Sequence, residues 1–121
     1  MEAVIAVPKT QRRYAVACHL AAAGGLIVPW FGFALGPLLA WIALRREHPA
    51  VEAHGREALN FNLSMMLWMA IVAGVAWVLG SIAWFLPPAL LVLWLACVVM
   101  AAVKAGEGDF YRYPVTIRFL A

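Results

Sequence analysis

Two stretches without a single Asp, Glu, Lys or Arg, residues 14–44 and 58–103, constrain this chain more than any other feature. A helix crosses a hydrocarbon core of ~30 Å with about 20 apolar residues. The second stretch is long enough for two such spans. Its break falls at Ser81 to Pro88, where the pair Pro87-Pro88 lacks backbone donors and favours a turn or a helix start. As a single helix the first stretch would be a rod of about 46 Å, and as two helices each is shorter than a comfortable span. Gly24, Gly25, Pro29, Gly32, Gly36 and Pro37 crowd its middle and favour a hairpin. The sequence therefore predicts an all-α integral membrane protein with about four transmembrane helices, near 13–28, 34–46, 51–79 and 87–105. The first pair is a short, bent helical hairpin turning near Trp30 to Phe33, and residues 106–121 form an interfacial C-terminal tail.

Composition supports a lipid environment. The chain is 66% hydrophobic and 12% charged. Soluble domains run nearer 45–50% apolar and ~25% charged. A chain of 121 residues has too little interior to hide that much apolar surface. The net charge is +3, from nine basic and six acidic residues. Basic residues flank the apolar runs and do not alternate with exposed aromatics, so the lipid bilayer and not nucleic acid is the expected partner. With four crossings, all nine basic residues share one side with both termini: Lys9, Arg12, Arg13, Arg45, Arg46, Arg56, Lys104, Arg112 and Arg118. The positive-inside rule then predicts a multi-pass protein of the bacterial cytoplasmic (inner) membrane with both termini cytoplasmic. The segment before Tyr14 lacks the pattern of a cleaved signal peptide, so the first helix is expected to stay in the mature chain. Cys18 and Cys97 lie inside apolar runs and read as buried small hydrophobes.

The most polar approach to a span is Glu47 to Asn62. His54, Glu57 and Asn60 recur every three residues, which puts them on roughly one helix face, with Arg56 and Asn62 beside it. His-x-x-Glu is half of a dinuclear carboxylate site, and the other half is missing. Asn60 and Asn62 read as interhelical hydrogen-bonding groups, with a polar substrate path as the alternative. His19 is an intramembrane ionisable residue, read as a structural hydrogen-bonding group ahead of a proton relay. No glycine pattern of a nucleotide or cofactor site is present, and no cofactor is predicted.

In the tail, Gly106 and Gly108 end the last helix. Phe110, Tyr111, Arg112 and Tyr113 then suit the membrane interface, and Pro114 stops any helix. Val115 to Leu120 either lies in the interface or folds back onto the 45–57 loop, where Glu107 and Asp109 are candidates to pair with Arg45, Arg46 or Arg56. Trp30 and Trp84 fall at the two uncharged loops, as belt residues do.

The order of motifs resembles the DUF4870, or Tic20-like, family. Ala15 to Leu20 reads Ala-x-x-x-His-Leu, and Gly36-Pro37-Leu38 precedes Arg45-Arg46. His54 to Phe61 and Gly108 to Phe119 complete the pattern, which covers about residues 12–120. The resemblance implies a small membrane protein of about four helices, distantly tied to protein translocation. It brings no catalytic residues. It marks His54, Glu57, Asn60, Phe61, Tyr111, Arg112, Tyr113 and Pro114 as a cytoplasmic-face cluster.

These readings converge on a non-enzymatic membrane protein, structural or accessory to an assembly of other membrane proteins or of its own copies. A small oligomeric channel or transporter lined by Asn60, Asn62 and His19 is the second expectation. A metal or cofactor site at His54 and Glu57 is the third.

Overall fold

The computed structural model describes residues 7–28, 31–46, 48–111, 113 and 116–118. The predicted turn residues Pro29 and Trp30 and the tail residues Arg112 and Pro114 lie outside these. Among the described residues the chain is all-helical, with no strand. Helix α1 (Arg12–Leu20) passes through a 3-10 turn (Ala21–Ala23) into α2 (Gly24–Ile27), so the two act as one bent segment. Three more helices follow: α3 (Gly32–Leu44), α4 (Pro49–Leu79) and α5 (Leu86–Gly106).

Local chemistry sets these limits. Pro49 sits in the first turn of α4, where its missing N–H costs nothing. Gly80, at φ 79°, ends α4 in a conformation that side-chain-bearing residues avoid. Pro87 and Pro88 occupy the first turn of α5, the place the Pro-Pro pair favours. The hairpin closes tightly where α2 and its 3-10 turn cross α3. A Cβ on Gly36 would collide with the Ala21 carbonyl, and one on Gly24 would press on the Gly32 oxygen at 3.2 Å.

Two apolar clusters hold the helices together. One joins Ala22, Phe61, Met65, Trp94, Cys97, Val98, Ala101 and Tyr113, with Phe33 and Trp68 against it. The other joins Val7, Ala15, Cys18, Val51 and Ala105. Cys18 and Cys97 are both free and buried.

The three charged segments meet at one end of the molecule. The Val7 N–H donates to the Gly108 carbonyl at 3.2 Å, Arg12 packs over Gly108, and Tyr14 stacks on His48 at 4.2 Å. The opposite end, around residues 80–86, holds no charged residue among the described residues.

Two of the helical stretches, Val51–Ala83 and Leu86–Gly106, are long and apolar enough to cross a membrane. Only 11% and 22% of their most apolar windows is buried in the protein, the reverse of a soluble core helix. Ile82 and Val78 are 80% and 81% exposed. Such wide apolar surface facing outward requires lipid or a partner. The hairpin helices are shorter and do not reach that length. By length and composition, two helices could span a membrane.

Candidate functional site

The polar residues of α4 face inward. His54, Glu57 and Phe61 lie on successive turns, and all three meet the C-terminal tail or α1. The Glu57 Oε2 accepts the Tyr113 backbone N–H at 2.8 Å and pairs with the Arg118 guanidinium at 3.2 Å. Phe61 stacks on the Tyr113 ring at 4.0 Å and 13°. One turn further on, Ser64 Oγ accepts the Ile117 N–H at 2.7 Å and donates to the Asn60 carbonyl at 2.8 Å. The described tail residues therefore meet α4 at Glu57, Phe61 and Ser64, and the Glu57 carboxylate holds both Tyr113 and Arg118.

His19 of α1 joins the same network. Its Nδ1 hydrogen-bonds the Tyr113 hydroxyl at 2.8 Å, and its Nε2 meets His54 Nδ1 at 3.2 Å. Phe110 closes over His54 edge-on at 5.2 Å. His54 Nε2 is buried without a hydrogen-bond partner among the described residues. Burial, and next the Glu57 carboxylate, push the Tyr113 hydroxyl above the usual phenol range. It therefore acts as a neutral group that holds α1, α4 and the tail together.

Other sequence candidates separate from this network. Asn62 donates to the Ala58 carbonyl and accepts the Trp94 indole N–H at 2.8 Å, bridging α4 to α5. Asn60 is buried at 2% exposure. The Asn62 amide thus serves contacts within the bundle. Arg56 pairs with Glu52 on its own helix at 3.4 Å. Glu107 pairs with Lys104 at 4.0 Å, so its partner is on α5 and not among the loop arginines. Asp109 is exposed, and its backbone N–H caps the Lys104 carbonyl. Tyr111 packs edge-on against Tyr113 at 5.2 Å.

Among the described residues no three His, Cys, Asp or Glu side chains converge as metal ligands. Glu57 already serves Tyr113 and Arg118, so His54 and Glu57 do not form a ready chelate.

Sequence reasoning missed Ser64, Trp94 and Arg118 as members of these contacts. Ser64 was detectable, since it continues the polar face one turn beyond Asn60. Trp94 and Arg118 carry no local signal, because their partners lie 32 and 61 positions away along the chain, the latter being Arg118 − Glu57.

The network makes a direct prediction. Tyr113→Phe keeps the stack on Phe61 but leaves His19 Nδ1 without its partner. An unsatisfied buried polar group costs roughly 1–3 kcal/mol. Equilibrium unfolding in mixed micelles is expected to show that loss, with helix content in the folded state unchanged.

Comparison with known families assigns the arrangement. The profile of MamF/MmsF, the magnetosome magnetite crystal formation protein family, matches residues 10–120. No curated protein and no solved structure gives a match. The match overturns the Tic20-like resemblance, and the link to protein translocation falls with it. The physical reason lies in the motif residues themselves. Gly36 allows a close helix crossing, and His54, Glu57, Phe61 and Tyr113 dock the tail. Such residues report a packing solution, and a packing solution does not specify a function.

Proposed function

The chain belongs to the MamF/MmsF magnetosome magnetite crystal formation family, and from that premise we propose that it is a non-enzymatic component of the magnetosome membrane that supports magnetite crystal formation. One observation carries the mode of action. The described charged residues gather at one end of the molecule, and none of them stands at the opposite end. With the basic end in the cytoplasm, both termini are cytoplasmic. That orientation holds whether the first hairpin crosses the bilayer or stops within it. The end that faces the mineral compartment then offers no carboxylate to iron. Hard cations are held by oxygen ligands, carboxylates above all. The protein therefore acts on the membrane and on neighbouring membrane proteins or further copies of itself, and not as an ionic template on the crystal surface.

The test is a deletion in a magnetite-forming bacterium, complemented by the full chain carrying a C-terminal topology reporter. The expected result is altered crystal size or number by electron microscopy, restored on complementation, with the reporter cytoplasmic. Unchanged crystals in the deletion strain would overturn the functional reading. A reporter on the mineral side would overturn the orientation, and would put Glu52, Glu57, Glu107 and Asp109 at the end facing the crystal.

A further inference from the structure

We propose that the α1–α3 hairpin does not cross the bilayer but ends near its midplane, as a wedge in the leaflet on the side of the termini, so that the protein prefers membranes in which that leaflet is convex. The inference does not depend on the role in crystal formation.

The hairpin is in register with α4 and α5 at two levels. At its base, Trp41 of α3 packs against Gly55 of α4, within 2.8 Å of where a Cβ would stand. Near its tip, Phe33 meets Trp94 of α5 edge-on at 5.1 Å, and the two share a small apolar cavity with Met65, Met66 and Met69 of α4. The tip therefore lies beside residues 65–69 of α4. The charge-free part of α4 runs from Ala58 to Leu79, roughly 33 Å at 1.5 Å per residue. Residues 65–69 stand roughly 10–17 Å above Ala58, which is half of a ~30 Å hydrocarbon core. Helix α5 agrees independently. Trp94 lies about 12 Å from Leu86 at the far end and about 18 Å from Gly106 at the charged end.

The chemistry of the hairpin fits this depth. Its tip is apolar and uncovered: Ile27 is 83% exposed, and Leu26 and Phe31 are each 65% exposed. Within hydrocarbon these groups need no cover from protein. The far turn of the two long helices lies on the order of 15 Å beyond the hairpin tip, measured from Met69 to Leu79. At the foot, Arg13 lies over the Tyr14 ring and Arg45 over the Trp41 ring. Arg12 and Arg46 stand at the same end, so the foot is fixed at the level of the headgroups. A broken helix is tolerated in hydrocarbon where its backbone groups are paired, and here the Val28 N–H donates to the Gly24 carbonyl and the Gly32 N–H to the Val28 carbonyl, each at 2.8 Å. Two helices thus occupy both leaflets and two more occupy one. That asymmetry in cross-section favours a bilayer bent toward the hairpin side, as shallow insertions do generally.

Two measurements on the full chain test the idea. In a Cys18→Ala, Cys97→Ala background, Ile27→Cys and Ile82→Cys are each placed in sealed vesicles of known orientation. A membrane-impermeant maleimide is expected to label Ile82→Cys from the side opposite the termini and to leave Ile27→Cys unlabelled from both sides. A fluorophore attached to Ile27→Cys after solubilisation, then reconstituted, is expected to be quenched best by lipids spin-labelled deep in the acyl chain. Labelling of Ile27→Cys from the same side as Ile82→Cys would show a full crossing and overturn the proposal. The second measurement needs no variant. Wild-type protein in giant vesicles drawn into narrow tethers is expected to concentrate in the tether about twofold when the hairpin leaflet is outermost, the scale of the modest mismatch costs that sort proteins among bilayers. It is expected to be depleted when the orientation is reversed. Equal density in tether and bulk would overturn the curvature preference even if the depth were right.

Discussion

Gly36→Ala is expected to open the hairpin and to destabilise the protein by about 3 kcal/mol, the upper range of overpacking costs. A methyl group there would stand 2.8 Å from the Ala21 carbonyl carbon and closer still to its oxygen. Those atoms are backbone, so no rotamer change relieves the collision. The two arms must separate, and the separation passes to every contact that depends on their closeness. Gly24 loses its fit against Gly32, and Phe33 shifts on Trp94. Other glycines calibrate the effect. A Cβ on Gly55 meets the Trp41 side chain first, at 2.8 Å, and a side chain yields more readily than backbone. A Cβ on Gly74 meets nothing within 4 Å. Gly74→Ala is therefore expected to be neutral or to stabilise α4 by up to about 1 kcal/mol through helix propensity alone. Thermal unfolding in one detergent ranks the three variants. If Gly36→Ala and Gly74→Ala unfold together, the close crossing is not what holds the hairpin.

The same contrast explains what was legible in the sequence. Helix limits were, because each is enforced by residues at the limit: Pro49 and Pro87-Pro88 at starts, Gly80 at an end, and glycine and proline crowding between α2 and α3. The inward face of α4 was also legible, since three-residue spacing puts His54 and Glu57 together without knowledge of their partners. The partners were not. His19 and Tyr113 are 94 positions apart, and nothing near either one encodes the other. Read separately, His19 was an isolated intramembrane group and Tyr113 an interface residue. In the fold they share a hydrogen bond and bring the predicted intramembrane and cytoplasmic-face sets into one network. The family assignment failed for a related reason. Short motifs were matched by their order, and their order reflects how tail and helices dock.

Removing the Glu57 carboxylate should have the largest effect of any change in this network. Glu57→Ala takes away the acceptor of the Tyr113 N–H and the counter-ion of Arg118 at once. Breaking a buried charge pair from one side costs about 3–5 kcal/mol. Arg118 is about one-third exposed, which moderates its share, but Glu57 itself is only 7% exposed and Tyr113 is buried. The whole protein need not unfold for the loss to appear. The tail is joined to the bundle by Glu57, by the stack on Phe61, by His19 and by Ser64. Without the first of these the tail is expected to detach while α4 and α5 remain packed. Chymotrypsin applied to detergent-solubilised protein would then cut after Phe110 or Tyr111 much faster than in wild type, leaving a stable fragment that ends at one of these two residues, since Pro114 protects the bond after Tyr113. Glu57→Gln separates the two roles, since its amide oxygen still accepts from Tyr113 but carries no charge for Arg118. An intermediate cleavage rate for Glu57→Gln places the docking energy in both contacts. A rate equal to wild type for both variants would mean that Phe61, His19 and Ser64 hold the tail without the carboxylate.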